Sequence, residues 1–210
     1  MENLFIVLPI FFFCLVVHEY AHGLMAEKCG DSTARYLGRL TLNPLSHIDP
    51  VGTIIFPVLL VVMHSPFVFG WAKPVPINPY NFRNPRWDTV KVGLAGPGAN
   101  ILTALVSALI FWILIKVGMV NEAVIMVLGS LILISLILAI FNLVPIPPLD
   151  GSHVLAGFLP ARLAYKYERI QGYGFIIILA LMYLGFFSGF VFPLAYKIAR
   201  LLLPAGAIQI

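Results

Sequence analysis

The run His18-Glu19-Tyr20-Ala21-His22 sets two imidazoles four positions apart with a carboxylate between them. On a helix, residues i and i+4 share a face, so two ring nitrogens can converge on one metal ion. The intervening Glu is then placed to take a proton from water as a general base. Three fixed positions in five also arise by chance, and two His and a Glu near the end of an apolar helix also describe an interfacial polar cluster. Location separates these readings. Residues 4–17 carry no charge, so the three polar side chains fall inside an apolar run. An ionisable group within such a run is costly and by default functional.

Catalytic zinc sites use three protein ligands, so a third is expected elsewhere in the chain. Asp150 fits best, within Asn142-Leu143-Val144-Pro145-Ile146-Pro147-Pro148-Leu149-Asp150-Gly151. The three prolines end the preceding helix and Gly151 frees the backbone after the Asp. Read alone, the same stretch is equally an interfacial turn with a helix-capping Asp. A third feature is Gly96-Pro97-Gly98-Ala99-Asn100. Asn100 either donates to a scissile carbonyl or oxyanion, or makes an interhelical hydrogen bond; Asn142 carries the same two readings. Gly96 reads as a close-packing residue. His47 reads as loop structure and His64 as interfacial, while His153 is a second partner of the site or a rival ligand. Cys14 and Cys29 read as packing residues, with no disulfide expected.

These residues must be positioned by membrane helices. Of the 210 residues, 60% are hydrophobic and 10% charged, against about 25% charged in an ordinary soluble domain. Mean hydropathy is +0.98. A soluble fold of this size cannot hide so much apolar surface, and disorder requires the opposite composition. The expected fold is therefore all-α and polytopic. Spans are expected over Leu4–Ala26, Val92–Ile115, Ala123–Val144 and Phe175–Tyr196, with an embedded or re-entrant segment at 51–69 and a short amphipathic helix after Pro160. Trp71, Trp87, Tyr80 and Tyr173 flank these segments, where aromatic rings favour the interface. The net charge of +4 reads as basic loops, not nucleic-acid affinity. If 51–69 does not cross and the N-terminus is outside, ten of the 13 Lys and Arg lie inside; if it crosses, six lie inside and seven outside. Only the first arrangement keeps positive charge inside. No removable signal peptide is expected.

The three motifs in this order, His18-Glu19-x-x-His22, Gly96-x-x-x-Asn100 and Leu149-Asp150-Gly151, resemble the site-2 protease family of intramembrane zinc metalloproteases, peptidase family M50. The likeness covers about residues 4–155, and the stretch 69–75 looks like small bacterial members. A single membrane-embedded peptidase domain over 1–210 is expected, without PDZ or CBS domains. The resemblance implies one Zn2+ held by His18, His22 and Asp150, with Glu19 as catalytic base and Asn100 near the active site. It implies cleavage in or near transmembrane segments of a substrate protein that enters from lipid, and an active site toward the cytoplasm of a multi-pass cell-membrane protein. The segments 51–69 and 70–90 are candidates for guiding that substrate. Two other functions fit the same pocket: a non-proteolytic zinc-binding sensor and a metal transporter. The Glu between the histidines disfavours the sensor, and the lack of a second polar half-channel disfavours the transporter.

Overall fold

The computed structural model describes residues 4–63 and 72–204. Among them there are helices and no strands, in the order α1 (Leu4–Lys28), α2 (Thr33–Tyr36), α3 (Phe56–Val62), α4 (Pro85–Lys116), α5 (Glu122–Asn142), α6 (Asp150–Phe158), α7 (Ala161–Glu168), α8 (Gly174–Tyr183) and α9 (Phe192–Leu202). The all-α class expected from composition is therefore what the chain adopts. Three helices, α1, α4 and α5, are long and apolar enough to cross a membrane. At 1.5 Å per residue, α4 runs about 48 Å, well beyond an apolar core of about 30 Å. It starts at Pro85, seven residues before the apolar run, because Asn84 caps it through the Trp87 N–H and Pro85 occupies the first helical position.

One segment differs from its expected form. The last span is not one straight helix. The helices Ala161–Tyr183 and Phe187–Leu202 meet at 65°, at a break where Gly185 has φ +79°, a conformation that favours glycine. Together they amount to a fourth span only if the bent pair is taken as one. The segment expected to be embedded is helical over Pro50–Val62, as a π-turn and then α3. That described length, under about 20 Å, is by itself too short to cross. His64 and Trp71 lie outside the described residues, as does the whole 64–71 stretch.

The membrane setting shows on α4, where apolar side chains face outward and two polar ones are buried. On α4, Leu102, Leu105, Leu109 and Ile113 face outward, whereas Asn100 and Ser107 are buried. Inside, small residues let helices approach: Ala104 and Ala108 of α4 pack with Ile132, Leu133 and Leu136 of α5 and with Ala195 and Ala199 of α9. Ile10 and Cys14 of α1 pack on Leu138 of α5, and Cys14 Sγ lies 3.3 Å from Ser135 Oγ.

An extended segment, 72–78, is strapped across the polar end of α1. Asp31 is fully buried and accepts from the Thr33 N–H, the Thr33 hydroxyl, the Asn78 N–H at 2.7 Å and Asn81 Nδ2 at 2.8 Å. Further ties run from the Lys73 N–H to the His47 carbonyl, from Arg39 to the carbonyls of Lys73 and Pro74, and from the Arg83 N–H to the Cys29 carbonyl. Burial pushes the Asp31 carboxyl up, but its donors more than offset this and hold it below its ordinary value. A depressed carboxyl contributes stability that is complete above its unfolded pKa of about 3.9 and is lost as pH falls through the lower folded value. Hydrogen exchange at the Asn78 amide should therefore stay protected from neutral pH down to about 4. Asp31→Ala should release the strap at neutral pH, at a cost of about 3 kcal/mol. Unchanged protection in that variant would contradict this role.

Candidate metal centre

The geometry of α1 sets the first part of the site. Relative to His18, His22 is rotated by about 40° and Glu19 by about 100°, so all three fall on one side of the helix. That side faces α4, and both histidines are buried. Asp150 arrives from 128 positions along the chain, as the first residue of α6. Two contacts bring α6 onto α4. Gly93 would place a Cβ only 3.1 Å from the Asp150 carbonyl, and Arg86 Nε donates to the Gly157 carbonyl at 2.6 Å. Gly151 has a different part from the one its sequence context suggests. It is helical, and its bare Cα admits the Leu143 carbonyl, which a Cβ would meet at 2.3 Å. The folded-back end of α5 thereby delivers Asp150 to the histidines.

His18, His22 and Asp150 form, among the described residues, the one group of three or more His, Cys, Asp or Glu whose ligand atoms gather closely enough for a metal ion. His18 Nε2 and His22 Nε2 are 3.0 Å apart, and Asp150 Oδ2 lies 3.0 Å from the first and 3.2 Å from the second. Three ligands about 2.1 Å from a tetrahedral centre stand about 3.4 Å apart, close to this triangle. Two imidazole nitrogens and one carboxylate oxygen also suit a divalent transition metal. Burial opposes charge on Asp150, but the adjacent His18 and His22 outweigh it and hold its carboxyl down at about 2.

The backbone of α4 completes the site. His22 Nδ1 lies 2.7 Å from the Val92 carbonyl. Donating there fixes the tautomer and directs the Nε2 lone pair at the triangle. Gly96 lies one turn further along the same stripe of α4. A Cβ on it would stand 2.4 Å from His22 Nε2 and 2.6 Å from His18 Nε2, in the space a metal ion needs. Its sequence context suggested helix packing; its position is tighter, directly against the ligand atoms. Glu19 is half-buried, and its Oε2 accepts from the Val75 N–H at 2.8 Å. Nothing in the local sequence of Val75 signals that contact, because it depends on the fold of the strap.

Other singled-out residues take separate places. Asn100 is fully buried with its Nδ2 3.1 Å from His18 Nδ1, the ring nitrogen turned away from Asp150. Asn142 Nδ2 donates to the Leu138 carbonyl within its own helix at 3.0 Å. His47 is buried beside the strap, its Nε2 2.9 Å from the Thr41 carbonyl, and does not join the cluster. His153 is exposed, lines a cavity with Arg86 and Tyr165, and does not join the cluster. Cys14 and Cys29 are buried and unpaired by disulfide.

Comparison with known proteins agrees with this geometry. The family model "Peptidase family M50" matches residues 112–185, which include Asp150. The chain is 36% identical over 195 residues to "Putative zinc metalloprotease YwhC" of Bacillus subtilis, spanning 90% of this chain and 82% of that protein. It is 30% identical over 189 residues to "Putative zinc metalloprotease Rip2" of Mycolicibacterium smegmatis, spanning 87% and 68%. The protein of the same name from Mycobacterium tuberculosis is 27% identical over 183 residues, again spanning 87% and 68%. No solved structure matches the chain. With three membrane-length helices around a His-His-Asp cluster, and a relative matched over most of both lengths, this multi-pass membrane protein belongs to peptidase family M50, the site-2 protease family.

Proposed function

We propose that the protein is an intramembrane zinc endopeptidase that hydrolyses peptide bonds in or near transmembrane segments of membrane proteins. One observation carries this reading: two histidines and an aspartate, 128 positions apart in sequence, converge in a triangle of 3.0–3.2 Å beside Glu19, on a helix of membrane-spanning length. The three relatives above, each named a "putative zinc metalloprotease", support the choice of zinc. Bound by His18, His22 and Asp150, zinc would supply a Lewis acid for the scissile carbonyl and a lowered pKa for the attacking water.

The chain's own residues supply the rest. Glu19 takes the proton from the attacking water and returns it to the leaving amine. The Val75 N–H donates to Glu19 Oε2 and so orients the carboxylate. His18, Glu19 and Asp150 give an apolar bundle the polar groups that a wet pocket requires. A substrate helix must unwind before cleavage, because its peptide groups are internally hydrogen-bonded; helix-breaking residues in the substrate make that easier. The substrate enters from lipid, and the strap at 72–78, lying against Glu19, is suited to guiding the unwound segment. The basic residues near the start of α4 and in α7 favour an active site toward the cytoplasm, with the N-terminus outside.

Two results test this. Wild type and Glu19→Gln, purified in detergent, should each hold about one zinc. Only wild type should cut single-span peptides, with the variant slower by about a hundredfold to ten-thousandfold. Wild type that binds zinc yet cuts nothing in a broad panel would favour a sensor, and zinc moved across vesicles would favour a transporter. Separately, Gly96→Ala should lose zinc and cleavage together, since its methyl group would occupy the space beside both Nε2 atoms. Zinc bound by that variant at wild-type affinity would refute the placement of the metal.

A further inference from the structure

Asn100 is the residue whose chemistry the proposed reaction leaves unused. It is fully buried, its Nδ2 lies 3.1 Å from His18 Nδ1, and its Oδ1 has no hydrogen-bond partner among the described residues. An unsatisfied buried amide oxygen costs on the order of 1–3 kcal/mol and asks for a reason. The ligand chemistry of His18 supplies one. A neutral imidazole has one N–H; if Nε2 gives its lone pair to a metal, the proton resides on Nδ1. Nδ1–H and the Asn100 NH2 would then be two donors facing each other. Turning the amide by 180° exchanges its nearly isosteric oxygen and nitrogen. The oxygen then meets Nδ1–H and both groups are matched.

We infer that Asn100 is a positioning residue for the metal centre: its amide oxygen accepts from His18 Nδ1–H and locks the tautomer that presents Nε2 to zinc. His18 thereby gains what the Val92 carbonyl gives His22. Both braces come from one stripe of α4, because Val92, Gly96 and Asn100 are spaced by four and lie on the same face. The stripe runs against His22 and then His18: a carbonyl behind the first ring, bare space before both Nε2 atoms, and an amide behind the second ring. An oxyanion role would require the Asn100 amide on the Glu19 side of the metal, whereas it sits behind His18, on the nitrogen turned away from Asp150.

This inference rests on the zinc reading, and the test separates the two. The full chain in detergent is titrated with Zn2+ against a competing chelator as wild type, Asn100→Asp and Asn100→Leu, with helix content and monodispersity measured alongside. Asp keeps the acceptor and removes the donor; Leu removes both at similar volume. Asn100→Asp should bind zinc within about threefold of wild type, and Asn100→Leu should bind about 10- to 100-fold more weakly. Equal losses in both variants, or none in Asn100→Leu, would overturn the inference while leaving the zinc reading intact. If the buried Asp prevents folding, 15N-histidine NMR of zinc-loaded wild type decides: His18 should show a proton on Nδ1 that is slow to exchange. A rapidly exchanging Nδ1 proton would overturn the inference. Wild type that binds no zinc would remove the basis of both.

Discussion

The structure depends on how closely α1 can approach α4. At Gly96 the two helices are so near that a single methyl group on α4 would stand 2.4 Å from a ring nitrogen of α1. The two imidazoles can therefore lie directly against the α4 backbone, where Val92 offers a carbonyl and Asn100 an amide. In a medium without water, an unbraced polar group is expensive. The close contact thus positions the rings and makes their burial tolerable. Elsewhere in the bundle the same device recurs in ordinary form, through alanines between α4, α5 and α9.

The site is assembled from two directions onto that contact. From the C-terminal side, α5 ends and the chain folds back over its last carbonyls, so that α6 begins with Asp150 at the histidines. Arg86 then clamps the far end of α6 to the start of α4 through the carbonyls of Gly157 and Leu159. From the N-terminal side, the strap crosses beyond α1 and lends one backbone N–H to Glu19. Asp31 anchors that strap with a buried carboxylate whose donors come from both sides of a 47-residue separation. A neutral side chain could not hold so many donors so tightly, because charge-assisted bonds are about twice as strong as neutral ones. The Glu19 carboxylate is thus oriented by a structural one.

Much of this was legible in the sequence, and the reason is physical. His18, Glu19 and His22 stand out because three ionisable groups at helical spacing interrupt an apolar run, and Asp150 because prolines and glycine surround a carboxylate at the end of another. Apolar length alone located α1, α4 and α5. Other features required tertiary structure. Val75 has an ordinary side chain and acts through its backbone, so no residue type marks it. Gly96 could be read as small, but not as small because two imidazole nitrogens lie against it. Asn100 could be read as buried and polar, but its place behind the His18 ring follows only from the pairing of α1 with α4. The break at Gly185 was masked by the uninterrupted apolar run around it, which specifies burial in lipid without specifying direction. The early start of α4 was readable: Asn84-Pro85 is a helix-start signature.

X-ray absorption at the zinc edge on the purified protein tests the central claim most directly, since it reports the ligands without requiring a substrate. The geometry predicts one zinc with two imidazole nitrogens and carboxylate oxygen at about 2.0–2.2 Å, with a remaining position for water. Sulfur in the coordination shell, or a spectrum unchanged when His22 or Asp150 is replaced, would contradict it.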